Sequence, residues 1–225
     1  MTAPISVVFA LFPQLTQLDF TGPFEVLQRL PGARLVVASR EGGELTADSG
    51  LSFAGLDRLS DIASADVLCV PGGYGVTTAL GDRAYLAEVR RLGAGARYVT
   101  SVCSGSLILA GAGLLEGKRA ACHWSWRPLL AELGVSVEAG RVVRDGNVIT
   151  GGGVTAGIDF ALALVAELAG VETAQRIQLS IEYDPAPPFD AGNPERAPAP
   201  IVAALRERVA LQYPERRAAL AALRE

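Results

Sequence analysis

The sequence predicts an α/β fold in which a mainly parallel β-sheet is covered by helices on both faces. Apolar runs of strand length, at residues 5–12, 34–39, 66–71 and 98–102, alternate with segments of helical periodicity. Strands that are apolar along their whole length are typical of parallel sheets buried on both sides. Ligands of such folds bind beyond the carboxyl ends of the strands, so the residues that follow the strands are the first candidates for a functional site.

The remaining segments complete one domain. Helices are predicted at residues 19–30, 83–92, 105–115, 126–133, 155–168, 172–183 and 201–212. A hairpin is predicted between 141–144 and 147–150, because the intervening Asp145 and Gly146 suit a type I′ turn. Residues 184–200 contain six prolines and are predicted to be irregular. Because too few residues follow them for a second core, we expect a single domain over residues 1–225 that ends with helix 201–212.

Composition and charge exclude several classes of protein. A chain of 225 residues, half of them hydrophobic, can bury a substantial core, which excludes global disorder. The 24 acidic and 20 basic residues are well mixed, so we expect no nucleic-acid partner. The chain contains no apolar stretch of about 18 residues, and its N-terminus lacks the pattern of a signal peptide. We therefore expect a cytoplasmic protein without membrane contact.

The cysteines and the single histidine do not form a metal-binding pattern. Three cysteines stand at 69, 103 and 122, and an odd number argues against a disulfide framework. Only Cys122 and His123 are neighbours, and adjacent residues of a strand point to opposite faces. Structural zinc needs about four closely spaced ligands, so no metal site is expected.

Cys103 stands where a buried strand passes directly into a helix of small residues. This context is similar to a nucleophile elbow, and the small Ser101 and Gly105 allow the strand and helix to approach closely. The partial positive charge at the helix N-terminus is expected to lower the pKa of the thiol. A free cysteine is more often a packed core residue, and we assign that role to Cys69 and Cys122.

Two other strand ends carry candidate residues. Asp19 follows the first strand, where it could cap a helix or transfer protons, and the residues alone favour the cap. Gly72 and Gly73 follow the third strand, where glycines form a tight turn. Their backbone N–H groups could also stabilise a transient negative charge.

Four motifs resemble one known family. They are LDFTGPFEVL at 18–27, PGG at 71–73, SVCSGSLILAGAGLLEGKRAACHW at 101–124 and GGGVTAGIDFALALVAELAG at 151–170. Together they resemble the DJ-1/PfpI superfamily, also described as class I glutamine-amidotransferase-like, over nearly the whole chain. The tail IEYDPAPPFDAGNPE at 181–195 is most similar to the isonitrile-hydrating branch of that superfamily.

The resemblance implies a flavodoxin-like three-layer sandwich and a cofactor-free hydration of a small isonitrile to the N-substituted formamide. Cys103 would attack the isonitrile carbon to give a thioimidate, and Asp19 would shuttle protons. Ser104 would orient Asp19 or water, while Gly72 and Gly73 would bind the charge that develops on the substrate. The resemblance also implies a homodimer.

Two positions distinguish this chain within the superfamily. Proteolytic and deglycase-like members often have His after the nucleophile, where this chain has Ser104, and many relatives have Glu at the position of Asp19. Both residues argue against a glyoxalase- or chaperone-like stress protein. A ligand-sensing domain of a transcription regulator is the other alternative. Such regulators append a helix-turn-helix region, whereas only one short helix is predicted after the prolines, which favours the enzyme.

The remaining aromatic and charged residues have simpler interpretations. His123 could approach the cleft, but we interpret it as a packed structural histidine and not as the base. Trp124 and Trp126 are interpreted as core or interface residues. The charge runs at 206–208 and 215–217 are interpreted as a solvated helix face.

Overall fold

The structure, a computed structural model, describes residues 4–223 and has a mainly parallel sheet at its centre. The strands are β1 (Ile5–Leu11), β2 (Ala33–Ser39), β3 (Gly43–Thr46), β4 (Ser52–Arg58), β5 (Val67–Val70), β6 (Tyr98–Val102), β7 (Arg119–Ala121), β8 (Ser136–Glu138), β9 (Val142–Asp145) and β10 (Val148–Gly151). Eight of them form one sheet in the order β3-β4-β2-β1-β5-β6-β10-β9. Only the β3–β4 and β9–β10 pairs of that sheet are antiparallel, so the predicted parallel architecture is confirmed.

Helices flank both faces of this sheet. They are α1 (Gln17–Leu27), α2 (Val76–Gly81), α3 (Arg83–Gly95), α4 (Gly105–Gly111), α5 (Arg127–Glu132), α6 (Ala156–Ala169), α7 (Val171–Ser180), α8 (Ala199–Ala210) and α9 (Tyr213–Ala221). Helices α1 and α6 pack against each other, while α3 and α4 pack against β5. The core is made of apolar strand and helix residues that are fully or almost fully buried. The fold class is therefore the α/β fold that the apolar runs predict, in the flavodoxin-like form that the family resemblance implies.

Several elements differ from the sequence prediction. Strands β3 and β4, the small β7–β8 sheet and helix α2 had no counterpart in it. Helix α4 ends at Gly111, earlier than predicted, and Gly113 has a positive φ of 76° just beyond it. The last predicted helix lies at Ala199–Ala210 and is followed by a second one, α9. No helix among residues 4–223 is long and apolar enough to cross a membrane.

Candidate active site

The three strand ends singled out by the sequence meet at one edge of the sheet. Strands β1, β5 and β6 are neighbours, and their carboxyl ends lead to Asp19, Gly72 and Cys103 respectively. The Thr16 N–H donates to the Gly72 carbonyl at 2.9 Å, and Leu15 forms an antiparallel bridge with Gly73. The loops after β1 and β5 are thereby joined beside Cys103, as expected for a site at the carboxyl ends of parallel strands.

Cys103 occupies the strained turn between β6 and α4. Its φ is +59°, in the left-handed region that non-glycine residues rarely adopt. Its N–H donates to the Gly151 carbonyl at 3.1 Å and its carbonyl accepts the His123 N–H at 3.2 Å, so both neighbouring segments hold the turn. A Cβ at Gly105 would lie 2.3 Å from the Val70 carbonyl oxygen. The turn therefore requires glycine at the start of α4.

Asp19 lies beneath this turn and is completely buried. The N-cap of α1 is Thr16, and Asp19 is the third residue of that helix, so the capping interpretation is wrong. Its Oδ2 accepts the Gly72 N–H at 2.9 Å. Its Oδ1 is buried and accepts no hydrogen bond of normal geometry, although the Cys103 thiol is close enough to influence the carboxyl pKa. This free acceptor is available to a proton from the thiol.

Burial shifts the pKa of both groups of this pair. It raises the pKa of Asp19 to about 7, although the Gly72 N–H and the Cys103 thiol act in the opposite direction. Burial and the Asp19 carboxylate raise the pKa of Cys103 well above its ordinary value, and the Ser104 N–H lowers it less. The expected lowering of the Cys103 pKa is therefore wrong: α4 is short, and burial outweighs its dipole. In the free protein at neutral pH the thiol is therefore neutral, while the Asp19 carboxyl group titrates near pH 7.

Ser104, Gly72 and Gly73 form a compact hydrogen-bonded support for this pair. The buried Ser104 Oγ accepts the Gly73 N–H at 3.1 Å. A Cβ at Gly72 would lie 2.5 Å from Ser104 N and 2.9 Å from Asp19 Oδ2, so only glycine fits there. Because the N–H groups of Gly72 and Gly73 already have protein acceptors, these glycines hold Asp19 and Ser104 in place before any substrate binds.

A pocket of about 260 Å³ opens above Cys103 and Ser104. His123 lines this pocket. Its Nδ1 forms a hydrogen bond of 2.7 Å with the Ser125 hydroxyl group. Burial and the nearby Arg127 lower the pKa of His123 to about 4, so the ring is neutral at pH 7. Trp124 and Trp126 also line the pocket, in addition to packing against neighbouring aromatic rings.

The C-terminal helices form the outer wall of the pocket. The side chains they contribute are Leu205, Arg208 and Val209 from α8, Gln212 from the connection and Arg216 from α9. The interpretation of residues 215–217 as a solvated face is wrong for Arg216, which is only 1% exposed. Its guanidinium lies 3.9 Å from the centre of the Trp126 ring. Nothing local in the sequence distinguishes it from the exposed Arg217, since tertiary packing buries it.

Cys69 and Cys122 have the structural role that the sequence predicts. Both are completely buried in the core, and all three cysteines are free. Burial raises the pKa of Cys69 and of Cys122 to about 12. Neither residue lines the pocket, so Cys103 is the thiol that a ligand in the pocket can reach.

The fold and the site define an α/β protein with a cysteine at a strained strand-to-helix turn and a buried acid beneath it. The DJ-1/PfpI family matches residues 5–167, and the chain belongs to this family. Isonitrile hydratase of Pseudomonas putida is 50% identical over 92% of this chain and 90% of that relative. Protein dj-1beta of Drosophila melanogaster is 31% identical, over 76% of this chain and 94% of its own length. A crystal structure of a ThiJ/PfpI family protein from Pseudomonas syringae has a TM-score of 0.93 and 41% identity, over 97% of this chain and 91% of that chain.

Proposed function

We propose that this protein is an isonitrile hydratase, a lyase that adds water to R–N≡C and releases the N-substituted formamide. The observation that carries the proposal is the 50% identity to the curated Pseudomonas putida isonitrile hydratase over 92% of the chain. The Cys103–Asp19 pair supports it, because hydration needs a soft nucleophile and a group that both accepts and donates a proton near neutral pH.

In the first step, the Cys103 sulfur forms a bond to the terminal carbon of the isonitrile. The raised pKa keeps the thiol protonated until substrate arrives, so its proton passes to the Asp19 carboxylate as the carbon–sulfur bond forms. Asp19 then delivers that proton to the former isonitrile carbon. The product of this step is a thioimidate, R–N=CH–S–Cys103.

In the second step, water adds to the thioimidate carbon. Asp19 accepts a proton from the water and passes it to the nitrogen, which gives a tetrahedral adduct bearing a hydroxyl group. The carbon–sulfur bond then breaks, the thiol regains its proton from the hydroxyl group and R–NH–CHO leaves. The sum is R–N≡C plus H₂O, so the cycle balances without a redox step and requires neither a metal nor an organic cofactor.

The surrounding groups are assigned to positioning and charge stabilisation. The Ser104 hydroxyl accepts the Gly73 N–H and keeps its own hydrogen for water or Asp19. The Gly72 N–H holds Asp19 Oδ2, which leaves Oδ1 directed to proton transfer. The predicted charge-binding role of Gly72 and Gly73 requires their N–H groups to leave Asp19 and Ser104 and to donate to the substrate instead. We propose that this exchange occurs as negative charge develops on the substrate.

Three further properties remain predictions from the sequence and the family. We expect residues 1–225 to form one domain, although residues 1–3 and 224–225 lie outside the described part. We also expect a homodimer and a cytoplasmic location. The substrate is a small molecule, and neither nucleic acid nor a membrane is expected as a partner.

The direct test is to incubate the purified protein with cyclohexyl isonitrile and to follow formation of N-cyclohexylformamide by NMR. Catalytic formation of the formamide, absent from the Cys103→Ala variant and retained by Cys69→Ala, is the expected result. Turnover of methylglyoxal with no turnover of several alkyl and aryl isonitriles would instead support a glyoxalase-like protein. Tight isonitrile binding without turnover would favour a sensing domain.

A further inference from the structure

The pocket wall contains a buried positive charge without a counter-ion. The Arg216 side chain is held by neutral groups: Nε donates to Thr77 Oγ1 at 2.9 Å, and Nη2 lies 3.3 Å from the carbonyl oxygens of Gly73 and Tyr74. Its Nη1 is buried and has no hydrogen-bond partner. A buried charge normally has a paired charge of opposite sign, so an uncompensated guanidinium at a pocket wall indicates that a ligand supplies the anion.

The other charged groups near the pocket do not neutralise the positive charge of Arg216. Arg208, at the mouth of the pocket, donates to the Tyr74 hydroxyl at 3.3 Å. Among residues 4–223, neither Arg208 nor Arg216 has a carboxylate within ion-pair distance, whereas the neighbouring Arg217 pairs with Glu132. No described Asp or Glu lines the pocket.

Asp19, Asp48 and Glu215 form no ion pair with the guanidinium, and of the three only Glu215 acts on its pKa through space. Asp19 lies beneath Cys103 and holds the Gly72 N–H, while Asp48 accepts a hydrogen bond from Thr16 at 2.6 Å. Glu215 is exposed on α9. In a pocket of low dielectric, the field of an unpaired buried charge extends to a ligand that does not touch it directly.

The Arg216 side chain is also fixed in position before a ligand binds. Hydrogen bonds to Thr77, Gly73 and Tyr74 hold one edge of the guanidinium, and the Trp126 ring covers its face. Gly73, whose carbonyl oxygen lies beside Arg216, donates its N–H to Ser104. One residue therefore connects the Arg216 guanidinium to the hydrogen bonds around Cys103 and Asp19. Little side-chain ordering is therefore needed when an anion binds.

We propose that Arg216, assisted by Arg208 at the mouth, makes this pocket selective for isonitriles that carry an anionic substituent such as a carboxylate. This inference rests on the proposed hydratase function and specifies its substrate class. The isonitrile carbon lies at Cys103, and the anionic group lies toward the wall formed by α8 and α9. Arg216 acts as a specificity-determining residue and takes no part in the proton transfers.

The test compares 3-isocyanopropanoate with its methyl ester, which differs in charge but not in the reacting group. We expect kcat/KM to be at least about tenfold higher for the carboxylate, a preference equivalent to about 1.4 kcal/mol. Arg216→Met should reduce the ratio to about one, and Arg216→Lys should retain part of it. Arg217→Gln, on the same helix but away from the pocket, is the matched control and should keep the full ratio.

Two additional measurements keep the inference testable if Arg216→Met does not fold or if the hydratase function is wrong. Arg208→Gln changes a residue at the solvent-exposed mouth and should also lower the ratio. Calorimetric binding of N-formyl-β-alanine to Cys103→Ala protein requires no turnover, and it should weaken several-fold when Arg216→Lys or Arg208→Gln is added. Failure of the hydratase proposal would appear as no turnover of either isonitrile, with this binding still present. A wild-type ratio of one or less, or absence of arginine-dependent binding, would overturn the inference.

Discussion

At the scale of single residues, Asp19 is the group whose chemistry depends most on its surroundings. Asp19→Asn keeps the shape and the acceptor for the Gly72 N–H but removes the proton carrier. We expect turnover to fall by about 10² to 10⁴-fold. In the wild type, kcat/KM should rise as pH increases through about 7, because Asp19 must be ionised to accept the thiol proton.

The control for this prediction is the pH profile of the Asn variant, whose residual activity should lack the ionisation near pH 7. Circular dichroism should show an unchanged fold. Near-normal turnover by Asp19→Asn would remove Asp19 from the proton-transfer role.

Ser104 is the second residue whose hydroxyl can be tested. Ser104→Thr keeps the acceptor for the Gly73 N–H and should keep activity. Ser104→Val leaves that N–H unpaired. We expect it to reduce the stabilisation of the transition state by roughly 1–3 kcal/mol. Turnover per folded molecule and melting temperature, measured for all three proteins, separate a chemical role from a steric one. A folded Val variant with full turnover would show that the hydroxyl is unnecessary.

At the scale of elements, the elbow between β6 and α4 depends on one glycine. In Gly105→Ala the new Cβ would lie 2.3 Å from the Val70 carbonyl oxygen, so strand or helix must shift. We expect a loss of about 1–3 kcal/mol in stability and a marked loss of turnover, because Cys103 moves with the turn. Urea denaturation and kinetics check both effects.

Gly95→Ala is the matched control, because a Cβ there meets nothing within 4 Å. Gly95 is the last residue of α3, where alanine is at least as favourable as glycine. Equal stability of the two variants would contradict the close packing of the elbow.

The elements also show what the sequence can predict. Buried strands and their polar ends are encoded locally, so Asp19, Gly72 and Cys103 could be located from apolar runs and the residues that follow them. Strand β4 could not, because it is mostly exposed and has no apolar run. Helix α9 begins with a polar, proline-containing sequence, and its buried Arg216 depends on packing against Trp126.

At the scale of the whole molecule, the buried Asp19 couples stability to pH. Its pKa is 3.8 when unperturbed and about 7 in the fold, so the folded state binds this proton more tightly. The resulting stabilisation is fully present below about pH 4 and is lost as pH rises through about 7. A shift of this size corresponds to at most about 4 kcal/mol.

The measurement is the free energy of unfolding of the wild type minus that of Asp19→Asn, determined between about pH 4 and pH 8. Subtraction removes the contributions of the other titrating groups. This difference in the free energy of unfolding should decrease as pH rises, because the wild type loses stability relative to Asp19→Asn. A difference that is constant over this range would show that Asp19 is ionised normally.

The pKa values also mark the limit of reasoning from sequence at this scale. The strand-to-helix position of Cys103 correctly predicts its strained turn, but the same position suggests a lowered thiol pKa. In the fold the pKa of the thiol is raised instead, because the complete structure buries it beside Asp19. Burial is a property of the assembled molecule, and it changes the mechanism that we propose from a preformed thiolate to a thiol deprotonated during attack.

Intact-protein mass spectrometry after rapid mixing with an isonitrile can detect covalent catalysis by Cys103 before any product is measured. We expect a transient mass increase equal to the mass of the isonitrile, mapped to Cys103 and absent from Cys103→Ala. The adduct should persist longer in Asp19→Asn wherever it forms, because water addition also needs the acid–base group. Formamide production by Cys103→Ala at the wild-type rate, or an adduct mapped to Cys69 or Cys122, would show that Cys103 is not the nucleophile.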